Sequence, residues 1–342
     1  MLRAQLKRIS LVSTHRSPTG AGPSRRKFGF SASKGWVAVP VLRPTLWSLA
    51  ATAAIFIGCA TYDVHRDIQH AKGRGLYKKG SINSYEDLEE AARYRGNVRH
   101  ATSHSSPSSI WYPSAQIKTV LAGYSDAEKL TLGAAALNLS IFGASSLAPE
   151  VFAQYFAHIP VISPNYTLLT SAFGHVGLLH IAINTFGLLE FAPDVARTSV
   201  FEGNGSHFAA FYLSAGILSS LADHLATTLP SRTYRFTRYV PSMGASGIVT
   251  AMFGAWGTVY SDETMDFVLI PGEYPVRSVI AALVLFETYG LFIGIPYVNF
   301  AHGAHLAGLG IGVAYVHFDG KKHLWRPTRR AVFHCMKRLN MV

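Results

Sequence analysis

Between Arg238 and Asp262 the chain carries no charged side chain, and Val240–Tyr260, VPSMGASGIVTAMFGAWGTVY, has the length of an apolar helix. At 1.5 Å per residue such a run crosses a hydrocarbon layer of about 30 Å. It therefore predicts a membrane span. One polar side chain in it needs explaining: Ser246 sits among the small residues Gly244, Ala245 and Gly247, so no bulk screens its hydroxyl. Gly247, Ala251 and Gly254, at i, i+4 and i+7, make a small-residue groove on which another helix can pack closely.

The rest of the chain follows the same solvent logic. Of 342 residues, 49% are hydrophobic and only 15% charged. The apolar residues gather into spans of about 20, which predicts an all-α polytopic membrane protein and not a pair of soluble domains. The net charge of +12 sits at the termini and beside the apolar runs, a placement that argues against nucleic-acid binding. Two cysteines, Cys59 and Cys335, make neither a disulfide framework nor a zinc site.

Met1–Tyr62 contains no Asp or Glu, while Arg3, Lys7, Arg8 and Arg16 are interspersed with Ser, Thr and Gly. Leu2, Leu6 and Ile9 share one helical face, so residues 1–35 read as an amphipathic mitochondrial presequence. Arg26–Ser31 resembles an R-x-F-x-x-S processing site. Pro44–Tyr62 reads as a separate amino-terminal transmembrane helix, residues 63–129 as a solvated linker, and residues 319–342 as a basic tail. In the linker, Ser84–Asp87 is expected to cap a short helix through Arg95; Ser125–Glu128 is a capping box opening the next run. Residues 130–318 then hold six core spans, expected near Leu130–Pro149, Tyr166–Leu189, Ser206–Leu225, Val240–Tyr260, Val276–Ile295 and Phe300–Phe318.

The sixth core span places His305, Gly308 and Gly312 on one stripe. Packed on the groove of the fourth, it would bring His305 within hydrogen-bond reach of Ser246. Imidazole is a suitable base for a serine hydroxyl at neutral pH, so the pair predicts a nucleophile and its base. In the second core span His180 and Asn184, i and i+4, both carry N–H groups; with the Ser246 amide they could bind a tetrahedral oxyanion. Position 248 is isoleucine, so this is not the G-x-S-x-G elbow of soluble hydrolases.

Taken together, GASG at Gly244–Gly247, AH-x-x-G-x-x-x-G at Ala304–Gly312, H-x-x-x-x-H-x-x-x-N at His175–Asn184 and Tyr212–Gly216 resemble the rhomboid family of intramembrane serine proteases over Leu130–Phe318. The presequence and extra amino-terminal span make the mitochondrial branch the nearest likeness. The resemblance implies a rhomboid-like six-helix transmembrane core with one extra amino-terminal helix, Ser246 as nucleophile, His305 as general base and acid, and His180, Asn184 and Gly244 as the oxyanion set. It implies a multi-pass protein of the mitochondrial inner membrane with no metal or cofactor. Its partners would be the lipid bilayer and single-span membrane substrates, among them precursors such as a dynamin-related GTPase. Three positions depart from the family pattern: Thr250 stands where many bacterial members have a tyrosine stacked on the histidine, Ala301 where mitochondrial members are often acidic, and Glu150–Pro164 lacks a Trp-Arg pair.

Other readings come from the remaining polar residues. His175, His180, His302 and His305 could serve a metal-dependent membrane hydrolase, though no Asp or Glu accompanies them in their helices. A non-catalytic rhomboid-like client binder would keep the fold and lack the chemistry. Asp223, Glu287 and the histidines could serve a proton-coupled transporter; structural or water-access roles are the expectation for Asp223, Glu287 and His302.

Overall fold

Helix α1 runs from Leu42 to Gly73, 32 residues, well past the apolar run that begins it. At about 48 Å it exceeds an apolar layer of about 30 Å by several turns. The extra turns are not solvated: Asp63, Val64, Asp67, Ile68 and Ala71 are buried there. The expected linker therefore starts as packed helix, because its charges have partners. The computed structural model describes residues 37–75, 82–92, 121–232, 234–267, 270–295 and 300–342. The expected presequence, the processing-like site, most of the linker and the end of its short helix at Arg95 lie outside these residues.

Both predicted caps form. Residues 85–92 are helical, with the Asp87 amide donating to Ser84 Oγ and Asp87 Oδ2 accepting from the Asn83 and Ser84 amides at 2.8 Å each. Those amide bonds, Asn83 first, hold the Asp87 carboxyl below its usual range. Helix α2, Asp126–Ser145, opens on the Ser125–Glu128 capping box, and Glu128 also meets Arg197 at 2.5 Å. Helix α3, Pro149–Phe156, follows.

The expected second core span is broken. A short helical turn over Thr167–Phe173 is followed by helix α4, Leu178–Arg197, at a bend of 93°. Gly177 takes φ 78°, a conformation that side chains resist, and so sets the corner. Helix α5, Gly205–Ala226, is capped by Asn204 and buried on most of its surface. Helix α6, Ser246–Val259, begins six residues later than the sequence predicts, because Pro241 and Gly244, at φ 137°, hold the approach non-helical. An antiparallel hairpin, β1 Thr264–Phe267 and β2 Ile270–Pro275, leads to helix α7, Val276–Phe292, and helix α8, His302–His317.

Two of these helices, α1 and α5, are long and apolar enough to cross a membrane, or three elements if the bent pair makes one span, counting described residues only. Helix α6 is apolar but covers only about 21 Å.

From Ala38 to Val342 the chain folds as one unit. Phe201, Phe208, Phe211 and Tyr212 form its centre with Leu188, Ile248 and Met252. The most intimate helix pair is α6 with α8. A Cβ on Gly308 would strike the Gly247 carbonyl and Thr250 Oγ1, one on Gly312 the Ala251 carbonyl, and one on Gly254 the Leu309 carbonyl. Both predicted small-residue stripes thus face each other with backbones nearly touching. Gly308→Ala is expected to destabilise the protein by about 1–3 kcal/mol, as overpacking does. Thermal unfolding in detergent checks it, and an unchanged Tm would contradict the contact.

The carboxyl-terminal stretch is folded. After a π-helical turn, Lys321–Trp325, helix α9 runs from Arg326 to Arg338. Val332, Phe333 and Met336 of α9 pack with Val64 and Ile68 of α1 and with Tyr85 and Leu88 of the short helix. Arg329 enters this layer almost buried, with Asp63 Oδ2 at 3.0 Å and Asp67 Oδ2 at 2.6 Å. Asp63 also meets Arg66 at 3.0 Å and accepts from Asn204 at 3.1 Å. Arg66 continues to Asp126 of α2 at 2.8 Å. The network ties α1 and α9 to the core. Cys59 is half-buried in α1 and Cys335 is exposed on α9, both unpaired.

Candidate active site

Ser246 is the first residue of α6, and four hydrogen bonds hold the turn that delivers it. The Gly244 amide donates to Ser171 O at 2.9 Å, the Ala245 amide to His175 Nε2 at 3.2 Å, and Ser242 exchanges backbone bonds of 2.9 Å with His158. These acceptors come from three positions before α4, so the bent segment shapes the turn. As the opening residue of a helix, Ser246 has an amide with no acceptor within that helix.

His305 lies on the first turn of α8, and its Nε2 is 2.7 Å from Ser246 Oγ. The ring's other nitrogen, Nδ1, is 2.9 Å from Glu287 Oε1 on α7. A carboxylate only accepts, so Nδ1 carries the ring proton and the bare Nε2 accepts from the serine hydroxyl. The second carboxylate oxygen, Oε2, takes Nδ1–H of His302 at 2.5 Å. Phe300 stands beside His305 with ring centroids 6.1 Å apart. With threonine at position 250, its hydroxyl turned to Gly247 O at 3.1 Å, the imidazole is held between Glu287 of α7 and Ser246 at the start of α6, not by a ring stacked from position 250.

The expected oxyanion residues separate into donors and a hinge. His180 faces Gly244 so closely that a Cβ there would lie 2.8 Å from its Nε2. Its Nδ1 accepts from the Val176 amide at 3.4 Å, which leaves Nε2 as the protonated nitrogen, on the side of Ser246. Asn184 is buried on the same face, one Nδ2 hydrogen going to His180 O at 2.9 Å, which leaves the other for a ligand. Gly244 differs from the expectation. Its amide is spent on Ser171, so it donates nothing to the site, and its glycine character serves the φ of 137° and the approach of His180.

Behind Ser246 is a cavity of about 20 Å³ lined by Ser171, Ser219, Ser220, Ser242 and Ala304 among others. That volume admits one water molecule, and the hydroxyls give it partners.

Two residues that the sequence reading did not place among the catalytic or oxyanion groups belong here. His175 anchors the Ala245 amide. Glu287 joins His302 and His305; the signal was an acidic residue in an apolar helix before a helix with histidines at i and i+3, but their facing was not readable. The four histidines of the metal reading do not converge: His175 and His180 face the turn before α6, His302 and His305 face Glu287. Among the described residues no group of three or more His, Cys, Asp or Glu is arranged to hold a metal. Asp223 packs under the first turn of α8, its carboxylate beside Gly303.

Comparison with known proteins matches the part of the chain that carries this site. Residues 163–322 match the model of the Rhomboid domain. The presenilin-associated rhomboid-like protein, mitochondrial, of Homo sapiens is 28% identical over 192 residues, which cover 54% of this chain and 46% of that protein. Its Bos taurus counterpart is likewise 28% identical over 192 residues, 54% of this chain and 47% of its own. The rhomboid protease GluP of Bacillus subtilis (strain 168) is 29% identical over 144 residues, 42% of this chain and 24% of that one. The matched region spans about half the length of the mitochondrial relatives.

Proposed function

From the membership of this chain in the rhomboid family, we propose that it is an intramembrane serine protease that hydrolyses peptide bonds in or beside single-span transmembrane segments. The observation that carries the reading is the 2.7 Å contact between Ser246 Oγ and His305 Nε2. Ser246 Oγ attacks the substrate carbonyl carbon as its proton passes to Nε2. The new C–O bond gives a tetrahedral oxyanion, which accepts from His180 Nε2–H, Asn184 Nδ2–H and the Ser246 amide. Losing one such donor costs about 3 kcal/mol in other acyl-transfer enzymes. Collapse expels the amine with the proton from Nε2. A water molecule, which the cavity behind Ser246 can hold, then cleaves the acyl-enzyme with His305 again as base.

The arrangement in the bilayer is part of the proposal: α2, the bent Thr167–Arg197 segment, α5, α6, α7 and α8 are the six core spans, and α1 is the additional one. A helix that starts at Ser246 and covers only about 21 Å opens below the surface of an apolar layer of about 30 Å. The site is the mitochondrial inner membrane, which the acid-free amino terminus and the likeness to mitochondrial proteins support. Substrates are inner-membrane-anchored precursors.

A fluorophosphonate probe tests this on the purified full chain. Labelling is expected at Ser246, with a His305→Ala control at least about 100-fold slower. A folded wild-type protein that stays unlabelled would refute the protease and favour a client binder.

A further inference from the structure

A carboxylate in the middle of an apolar helix is costly unless its oxygens are matched, and the side chain of Glu287 is only 5% exposed. Its two oxygens meet two imidazoles: Oε1 is 2.9 Å from His305 Nδ1 and Oε2 is 2.5 Å from His302 Nδ1. The local sequence makes room for this. A Cβ on Gly290, one turn after Glu287, would strike the His302 ring, so glycine there admits the ring against α7. Phe286 and Phe300 flank that ring with centroids 6.0 and 5.9 Å away.

We propose that Glu287 is the positioning residue of this site, making the Ser246–His305 pair a Ser–His–Glu relay clamped by His302. The proposal rests on the protease reading for its kinetic consequence, but not for its structural one. Glu287 does two things. It holds the ring proton on Nδ1, so that Nε2 is the nitrogen free to take the Ser246 proton. It also sets a negative charge 2.9 Å from the imidazolium that this transfer creates, while the Nδ1 proton stays on the ring. His302 acts one step further out, holding the carboxylate in the orientation that aims Oε1 at His305. The bond from Glu287 orients the imidazole where position 250 provides no tyrosine to stack on it.

The test uses the full chain with Glu287→Ala and Glu287→Gln, the latter keeping volume and one acceptor oxygen. Cleavage of a transmembrane-segment peptide in proteoliposomes is expected to lose kcat by about 10²–10⁴-fold in Glu287→Ala, the scale seen when soluble triads lose their carboxylate function, with KM within twofold. A change confined to packing would move Tm without this split. Independently of activity, histidine-selective ¹⁵N NMR should find His305 protonated at Nδ1, with a strongly downfield proton, in the wild type. Both variants should lose that resonance or move it. Should Glu287→Ala fail to fold, Glu287→Gln decides. The proposal is overturned if folded Glu287→Gln keeps the His305 Nδ1 proton at its wild-type position, or if both variants cleave within threefold of wild type. If the wild type neither cleaves nor takes the fluorophosphonate, the protease reading fails by itself, and the NMR comparison alone decides whether Glu287 sets the ring.

Discussion

Ser246→Ala is expected to lower cleavage of a transmembrane substrate by at least about 10⁴-fold, or roughly 5.5 kcal/mol in the barrier, while the protein accumulates normally. The size follows from the role: no hydroxyl remains to carry the acyl group, and what the oxyanion donors supply alone is small beside a covalent route. The protein survives because Ser246 contributes one side-chain hydrogen bond, to His305, and none of the backbone bonds that shape its turn. Losing that bond costs about 1 kcal/mol. His305→Ala is expected to match it in effect, and the double variant to be no worse than either single one, since the two groups act as a unit. Co-expression with candidate inner-membrane precursors, scored by the shortened product, measures this. Substantial cleavage by either variant would remove the nucleophile from the mechanism.

Arg329→Met should be the most damaging change away from the site, at about 3 kcal/mol. Arg329 is 6% exposed and bridges Asp63 and Asp67, both buried in α1. The loss falls at the low end of the range for broken buried pairs because Asp63 keeps Arg66 and Asn204. Since α9 packs on α1 through this layer, the change should also expose the α9 basic residues to trypsin before the core unfolds. Asp67→Asn in the same chain should recover part of the loss, because it removes one of the two carboxylate charges that Arg329 balances. Equal Tm and equal proteolysis of wild type and Arg329→Met would contradict the assignment of α9 as a structural strap.

The chemistry-bearing residues of this site were legible because spacing on a helix is local. Gly247, Ala251 and Gly254 had to make a groove and His305, Gly308 and Gly312 a stripe, whatever surrounded them, so the approach of residues 246 and 305 followed once the two surfaces met. The Ser84 and Ser125 caps were legible for the same reason. Elements whose conformation depends on distant partners were not. The span expected over Tyr166–Leu189 bends at Gly174–Gly177, where a Cβ on Gly174 would lie 2.6 Å from the Phe156 carbonyl. The start of α6 moved to Ser246 because its approach is bonded to Ser171, His158 and His175.

By itself, then, the amino-acid order determined that this chain is helical and apolar, that a serine and a histidine would face each other, and which small residues would let them. Periodicity within one helix suffices for that. Only the tertiary structure decided that Gly244 turns the chain and spends its amide on Ser171 instead of on an oxyanion, that the expected linker and tail close on each other through Arg329, and that Glu287 reaches both histidines. Each of these depends on which face of one helix meets another, a choice made by packing and by the pairing of buried charge between residues far apart in the chain.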